Sequence, residues 1–290
     1  MKKKVKTRKK ITLQSVIMYI LLILTALMFA TPMLFTLLSS IKTKVEIFAK
    51  PFSWPEVPQW SNYVEAWTSA NMSHYFLNSL IQAGATVIVL AIVSTMAAYV
   101  LSRFDFKCNK FLLLFFMLGM MVPVHTVLVP VSYIIGALNL KNNIPALVMI
   151  YVAFSLPFSI LVVTNFMKGV NRSLEEAALI DGATYFQIYK NVMLPMTVPA
   201  ISTISIFNFL GAWNNILFPL LFINDKNLKP IALGLLNFNG ERGSDYGPLM
   251  AAIVITVAVP LVIYLLFQEK VEGGLAAGAV ERIGMRRKIK

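Results

Sequence analysis

The residue types that most often perform chemistry or bind metals are few in this chain and far apart. Its two histidines, His74 and His125, are well separated and stand apart from cysteines and carboxylates. The single cysteine, Cys108, excludes an internal disulfide and a cysteine metal cluster. The sequence also lacks the G-x-x-x-x-G-K-[ST] phosphate loop. We therefore expect no catalytic residue, no metal site and no cofactor in the chain itself.

A polar stretch between two long apolar segments, Ser173–Pro195, has spacing typical of a small exposed fold. Ser173 and Glu176 have the S-x-x-E spacing of a capping box, which predicts a helix beginning near Leu174. Gly182 is expected to end that helix, because glycine adopts left-handed dihedrals without steric cost. The pattern predicts an exposed helix that stops at this glycine.

A second short helix is expected over Tyr185–Leu194, before Pro195. Ala177 and Ala178, on the first helix, have such small side chains that another protein's surface can approach the backbone closely. The stretch is therefore predicted to be a helix-turn-helix that docks a partner. The simpler interpretation, a loop that only joins two spans, applies to the capping signal taken alone.

Neutral polar and aromatic side chains within the apolar segments form a second candidate site. Amides can bind hydroxyl groups and aromatic rings can pack on C–H faces, so such residues suit the path of a neutral, hydroxyl-bearing solute. Intramembrane amides also hydrogen-bond across helices, and helix packing is the alternative role for each residue. The candidate substrate-path residues are Tyr151, Asn208, Trp213, Asn214 and Asn215.

Composition indicates a membrane protein, since hydrophobic residues occupy 58% of the 290 positions against about 45–50% in soluble domains. Six apolar runs, each about 20 residues or longer, can cross a hydrocarbon core of about 30 Å. The sequence predicts an all-α membrane protein with a basic arm at 1–12, a single transmembrane domain at 13–290 and an exposed loop at 171–195. The predicted spans are 13–38, 76–101, 111–136, 145–167, 198–223 and 248–267.

Positive charges favour one orientation of these spans. Nineteen of the 26 Lys and Arg residues lie in the N-terminal arm, in the connections after the second and fourth spans, and in the C-terminal tail. The positive-inside rule then places both termini and the loop 171–195 in the cytoplasm. The positive charges flank apolar segments instead of forming a patch on a folded domain, so we expect a membrane and no nucleic-acid partner.

Two features of the span interiors bear on mechanism. None of the six apolar runs contains Asp, Glu, Lys or Arg, although ion-coupled transporters usually place such groups near mid-membrane. Coupling to Na⁺ bound by backbone carbonyls of broken helices is the alternative that this absence leaves.

Pro123 and Pro130 are the best hinge candidates, because a proline removes a helix hydrogen bond. The alternative for both prolines is an ordinary packing kink.

The loop carries a longer pattern: Glu176-Ala177-Ala178, three residues, Gly182, nine residues, then Val192-x-Leu194-Pro195. This pattern resembles the EAA loop of ATP-binding-cassette (ABC) importer permease subunits, and in particular the smaller permease of maltose-type carbohydrate importers. Further matches to that branch extend over nearly the whole chain: Ala97-Ala98-Tyr99, Met121-Val122-Pro123, Leu156-Pro157-Phe158, Ile180-Asp181-Gly182-Ala183, Trp213-Asn214-Asn215 and Gly273-Gly274-Leu275.

The resemblance implies that the loop is a coupling helix that sits in a cleft of an ATPase subunit. The residues that it assigns to coupling are Glu176, Ala177, Ala178, Asp181, Gly182 and Pro195. It implies a complex with a second permease subunit, two ATPase subunits that bind ATP and Mg, and an extracytoplasmic solute-binding protein. The chain would lie in the bacterial cytoplasmic membrane.

We therefore expect the permease subunit of a bacterial ABC importer for a sugar or oligosaccharide. The same machine carrying another solute, such as a glycerol phosphate ester, is the nearer alternative. A secondary transporter would work without an ATPase. A membrane-embedded enzyme would need clustered acids, histidines or a nucleophile at depth, which the sequence lacks.

Overall fold

A computed structural model describes residues 13–68, 71–239 and 245–287, with side chains described up to Phe267 apart from those of 237 and 239. The predicted basic arm at 1–12 lies outside the described residues. All regular structure in the described part is helical, which confirms the predicted all-α class. The prediction of a single domain over 13–290 stays a prediction.

Helices follow one another along the described chain. The α-helices are α1 (Leu13–Ser39), α2 (Lys44–Ala49), α3 (Ser61–Thr68), α4 (Met72–Arg103), α5 (Asn109–Met121), α6 (Val124–Ala137), α7 (Ile144–Gly169), α8 (Ser173–Ile180), α9 (Tyr185–Ile188), α10 (Leu194–Met196), α11 (Val198–Asn214), α12 (Leu217–Phe222), α13 (Ile231–Gly234) and α14 (Tyr246–Arg287). A π-helical turn spans Tyr189–Met193, and 3₁₀ turns span Lys226–Leu228 and Leu235–Asn239.

Four helices in the described part are long and apolar enough to cross a membrane: α1, α4, α7 and the Tyr246–Phe267 part of α14. Two bent pairs bring the number to six if each pair counts as one span. Six is also the predicted number of spans. The second bent pair, however, joins α11 to Tyr185–Met196, which the sequence assigns to the exposed loop.

The predicted third span, 111–136, is not a single straight helix. It consists of α5 and α6, which meet at an angle of 97°. Val122 and Pro123 both have extended dihedrals and separate α5 from α6. A proline disfavours helical dihedrals in the residue before it and lacks the N–H that would continue the helix. Pro130 lies inside α6. At about 1.5 Å per residue, neither helix alone crosses about 30 Å.

The predicted fifth span, 198–223, is likewise broken. Helix α11 ends at Asn214, and Asn215 has extended dihedrals. The Asn215 side-chain oxygen accepts a hydrogen bond from the backbone N–H of Phe218 at 3.1 Å, which stabilises the start of α12. At its other end, α11 meets the helical segment Tyr185–Met196 at 71°.

The described residues form two compact units, divided after Ala66, after Asn237 and after Val254. The smaller unit contains α1, α2 and the beginning of α14. Within it, Thr43 and Glu46 form a capping box that begins α2. Lys42 is fully buried and donates to the backbone carbonyls of Lys50 and Pro51 at 2.8 and 3.0 Å. Burial lowers the pKa of Lys42, and Glu46 acts against that shift.

The larger unit is built on α4, which packs along α7 and α11. One core cluster includes Leu147 and Tyr151 of α7 with Phe218 of α12. A second cluster contains Tyr99 of α4 and Met167 of α7 and continues to the residues that follow α8. The three long helices therefore support the exposed loop directly.

Candidate coupling site

Helix α8, the first helix of the predicted coupling loop, begins at Ser173 without the expected capping box. The residue before it, Arg172, already has helical dihedrals and makes no side-chain capping bond among the described residues. The helix therefore starts one residue too early for Ser173 to cap it. The N–H of Ser173 instead donates to the Asn171 side-chain oxygen at 3.1 Å.

The capping box of this loop lies at the second helix. The Gln187 backbone N–H donates to Thr184 Oγ1 at 3.4 Å, and the Thr184 N–H donates to Gln187 Oε1 at 2.7 Å. Thr184 has the extended dihedrals that such a cap requires. Its position fixes the beginning of α9 at Tyr185.

The end of α8 agrees with the sequence. Gly182 has φ +84°, and its N–H donates to the carbonyl of Leu179 at 3.0 Å. The N–H of Ala183 donates to the carbonyl of Ala178 at 2.9 Å. This pair of bonds is the Schellman motif, which a left-handed residue makes geometrically accessible. The prediction that Gly182 ends the helix is confirmed.

The second helical segment runs past its predicted end. Helix α9, the π turn and α10 follow one another from Tyr185 to Met196, so Pro195 lies inside the segment. Pro195 lacks an N–H, and the wider π turn ends just before it, with Leu194 N–H bonded to the Tyr189 carbonyl. The expectation that the helix ends before Pro195 is therefore wrong, because the helical segment continues to Met196.

The two short helices present exposed apolar side chains. Ile180 is 87% exposed and Phe186 is 66% exposed, and Leu179 and Tyr185 are exposed as well. Large exposed apolar side chains in a polar loop mark an interaction surface. We call the exposed side chains of Leu179, Ile180, Tyr185 and Phe186 the coupling surface.

Five of the six sequence-predicted coupling residues lie in or directly after α8, and the sixth, Pro195, is exposed in α10. Glu176, Ala177, Asp181 and Gly182 are exposed, whereas Ala178 is half-buried against the second core cluster. Ala177 thus leaves the backbone of α8 open to a partner. Ala178 faces the bundle, where its small side chain lets α8 lie close to the core.

An ion pair that sequence reasoning missed holds α8 to the bundle. Arg103, at the end of α4, contacts the Glu175 carboxylate, and their side chains are only 5% and 12% exposed. Burial raises the pKa of Glu175, and the positive charge of Arg103 acts in the opposite direction. Arg103 Nη2 also donates to the Val170 carbonyl at 3.0 Å. One guanidinium therefore joins α4, the end of α7 and α8.

Aromatic rings provide a second connection between the loop and the spans. The ring centroid of Tyr99 lies 5.5 Å from the ring centroid of Tyr189 and 5.8 Å from the ring centroid of Phe104. The ring centroids of Phe104 and Tyr185 are 5.2 Å apart. The hydroxyls of Tyr189 and Thr95 are hydrogen-bonded at 2.9 Å. These contacts join α4 to α9 and the π turn. A displacement of the loop would therefore be transmitted to α4.

The candidate substrate-path residues have different surroundings. Asn208 is buried and donates to Ser159 Oγ at 2.9 Å. Trp213 is fully buried, and its indole N–H donates to the Thr256 carbonyl at 3.2 Å. Tyr151 lies in the first core cluster. These three side chains take part in helix packing within the chain.

The two asparagines at the break after α11 lie nearer the surface. Asn214 is exposed and Asn215 is half-buried, and Asn215 also stabilises the start of α12. The structure therefore separates the five candidates into three packing residues and a pair at a broken helix.

Comparison with known proteins identifies the family. A family model described as a binding-protein-dependent transport system inner membrane component matches residues 88–276, more than half of the chain. The chain belongs to this family. The matched part of the permease runs from α4 into α14 and contains the loop 171–195.

Individual proteins support the same assignment. The permease is similar to the diacetylchitobiose uptake system permease protein NgcG of Streptomyces coelicolor, with 38% identity covering 90% of this chain and 87% of that protein. It is also similar to the probable ABC transporter permease protein YurM of Bacillus subtilis, with 34% identity covering 95% and 92%. A crystal structure of a bacterial ABC transporter involved in alginate import has the same fold, with TM-score 0.79, 20% identity and coverage of 88% and 95%.

Proposed function

We propose that this chain forms, with a second permease subunit, the translocation path of a bacterial ATP-driven importer for a sugar or oligosaccharide. The observation that carries the proposal is the coupling surface, which is exposed to a partner while Arg103 and Glu175 hold its helix to the spans. A partner that grips this surface can move α4, α7 and α11. The sugar assignment is supported by the carbohydrate-branch motifs and by similarity to a permease named for diacetylchitobiose uptake.

We infer that the energy is supplied by two separate ATPase subunits, which bind ATP and Mg and receive the coupling surface in a cleft. The chain itself is then a transport subunit and not an enzyme. The small side chain of Ala177 and the turn at Gly182 support close docking, because they leave the end of α8 open. Glu176 and Asp181 add exposed negative charge beside the apolar side chains.

We also propose the orientation of the subunit. The positive-inside rule places the coupling loop and both termini in the cytoplasm, in the bacterial cytoplasmic membrane. A solute-binding protein would deliver the sugar to the opposite face. This orientation lets cytoplasmic ATPases reach the coupling surface.

For the substrate path, we propose that Asn214 and Asn215 contact the solute. They stand where α11 breaks before α12, and a broken helix frees backbone polar groups for ligands. Tyr151, Asn208 and Trp213 would support the path from within the subunit, since their side chains pack between helices.

Reconstitution tests the proposal. Proteoliposomes that contain both permeases and the ATPases, supplied with solute-binding protein, should take up labelled diacetylchitobiose or a maltooligosaccharide only when ATP is present inside. Labelled glycerol 3-phosphate serves as the non-sugar comparison, and its preferred uptake would contradict the sugar assignment. Uptake against a gradient by the permeases without ATPases would contradict the whole proposal.

A further inference from the structure

A cavity of about 740 Å³ lies beside α8, among the ends of α4 and α7 and the beginning of α5. Its wall is strongly basic, and Asp105 is the one carboxylate among its lining residues. The cationic lining residues are Arg103, Lys107, Lys110, Lys168 and Arg172. We call this space the basic cavity. A cavity with this lining is expected to attract an anion.

Most of this positive charge has no ion-pair partner in the described part of the chain. Arg103 is paired with Glu175, and the positive charge of Arg172 also acts on that carboxylate. The other four cations are exposed, and within the described part of the chain none of them is in an ion pair or donates a side-chain hydrogen bond. Like charges that converge on one space repel each other, and an anion bound among them offsets this repulsion. The cavity therefore favours a ligand that carries at least one negative charge.

Apolar surface adjoins the cavity on one side. Leu101, Phe106 and Leu113 contribute to its wall. Along α5, Phe111 and Leu114 are 67% and 52% exposed. Residues three or four apart on a helix share a face. Leu114 therefore lies on the same face as Lys110, which lines the cavity, and Phe111 precedes Leu114 by one turn, so an apolar strip leads from the basic cavity along α5. A ligand with an anionic head and hydrocarbon chains fits both surfaces, whereas a free phosphate uses only the first.

We propose that the basic cavity binds the phosphate headgroup of an anionic phospholipid, with its acyl chains along the exposed face of α5. Basic pockets between membrane helices bind such headgroups through their lysines and arginines. The headgroup would lie against Arg172, the residue that precedes α8, and thus beside the coupling loop. The inference goes beyond the transport function and does not depend on which solute is carried.

Native mass spectrometry of the purified full-length chain tests the proposal, with phosphatidylglycerol and phosphatidylcholine titrated separately into detergent micelles. Phosphatidylglycerol should bind more tightly. Each surface cation contributes about fivefold to the affinity for an anionic lipid. The triple variant Lys107→Gln/Lys110→Gln/Lys168→Gln should therefore bind phosphatidylglycerol about 100-fold more weakly.

Two further variants sharpen the test. Lys141→Gln/Lys226→Gln removes two cations that do not line the cavity and should leave the affinity unchanged. Asp105→Asn removes the lining carboxylate and should tighten phosphatidylglycerol binding about fivefold. This opposite change cannot arise from loss of the fold, so it separates a local effect from damage to the protein.

Three outcomes would overturn the proposal. Equal affinity of the wild-type chain and the triple variant for phosphatidylglycerol would show that the cavity takes no headgroup. Displacement of the lipid by millimolar inorganic phosphate would identify a free-anion site. Loss of the bound lipid when the ATPase subunit is added would show that the cavity belongs to a protein contact.

Discussion

The Arg103–Glu175 ion pair makes the sharpest prediction about how the coupling loop is held. In Arg103→Met, the Glu175 carboxylate stays in a site where its side chain is 12% exposed and loses its cation. Removing one partner of a buried pair costs about 3–5 kcal/mol. The remaining exposure lets water or a proton reach Glu175, so we expect the lower value, about 3 kcal/mol.

The cost should appear as local opening of α8, because this helix has few other attachments. A loss of about 3 kcal/mol corresponds to roughly 100-fold faster amide hydrogen exchange, at about 1.4 kcal/mol per factor of ten. Hydrogen exchange with mass spectrometry on the purified permease measures this rate for peptides covering Ser173–Ile180. Peptides from the middle of α7 should keep their wild-type rate.

The same variant should respond to pH with a defined sign. Burial raises the pKa of Glu175 and Arg103 opposes that shift, so removal of Arg103 should raise the pKa further. A raised carboxyl pKa penalises the folded state at high pH, and the penalty disappears as pH falls through that pKa. After correction for intrinsic exchange, α8 in Arg103→Met should regain protection as pH is lowered from neutral toward 4.5, the ordinary pKa of this carboxyl.

Matched controls keep the test specific. Glu176→Gln changes the neighbouring exposed carboxylate, and Lys190→Met removes an exposed cation from the π turn. Neither should change α8 exchange by more than a few fold, because exposed charges contribute about 0–1 kcal/mol. Unchanged, pH-independent exchange of α8 in Arg103→Met would refute the role given to this ion pair.

Three other predictions concern local features of the fold. Gly182→Ala should destabilise the turn after α8 by about 1–2 kcal/mol, because the φ of this residue is +84°; an added Cβ would meet no atom within 4 Å, so the cost is one of backbone strain. Faster hydrogen exchange of the Ala183 amide would show this loss, and an unchanged rate would count against the Schellman turn. Asn208→Leu should lower the free energy of unfolding by about 0.6–2 kcal/mol, because it removes the hydrogen bond to Ser159. Asn214 is exposed, so Asn214→Leu should leave the free energy of unfolding unchanged, and equal effects of the two substitutions would argue against a packing role for Asn208. Hydrogen bonds from the Glu56 and Thr43 backbone lower the pKa of Glu46, so α2 should lose protection as pH falls through that lowered pKa; Glu46→Gln should abolish this dependence, and its persistence would point to another group.

The sequence predicted features that depend on local patterns. The apolar runs gave helices α1, α4, α7 and α14 close to their expected positions, because a span must satisfy its backbone within one helix. Gly182 ended α8 as expected, because a left-handed turn selects glycine at a single position.

Features that depend on distant neighbours were not predictable from these patterns. The S-x-x-E spacing at Ser173 predicted that Glu176 would stabilise α8 through a capping box. The carboxylate that holds α8 in the structure is instead that of Glu175, and its partner Arg103 lies far away in the sequence. Arg103 lies two residues after the apolar run 76–101 and is the one signal of this ion pair that the sequence offers. The 97° bend at Pro123 and the π turn before Pro195 also depend on packing, since a proline shows where a helix can break but not how far it will bend.

We propose that a partner drives the permease through the coupling surface. Ile180→Asp places a charge on its most exposed apolar position, 87% exposed, without touching the contacts that hold α8. In proteoliposomes of the complete importer, this variant should assemble both permeases yet lose ATP-driven sugar uptake, while Lys190→Asp retains it. Wild-type uptake by Ile180→Asp would contradict the account.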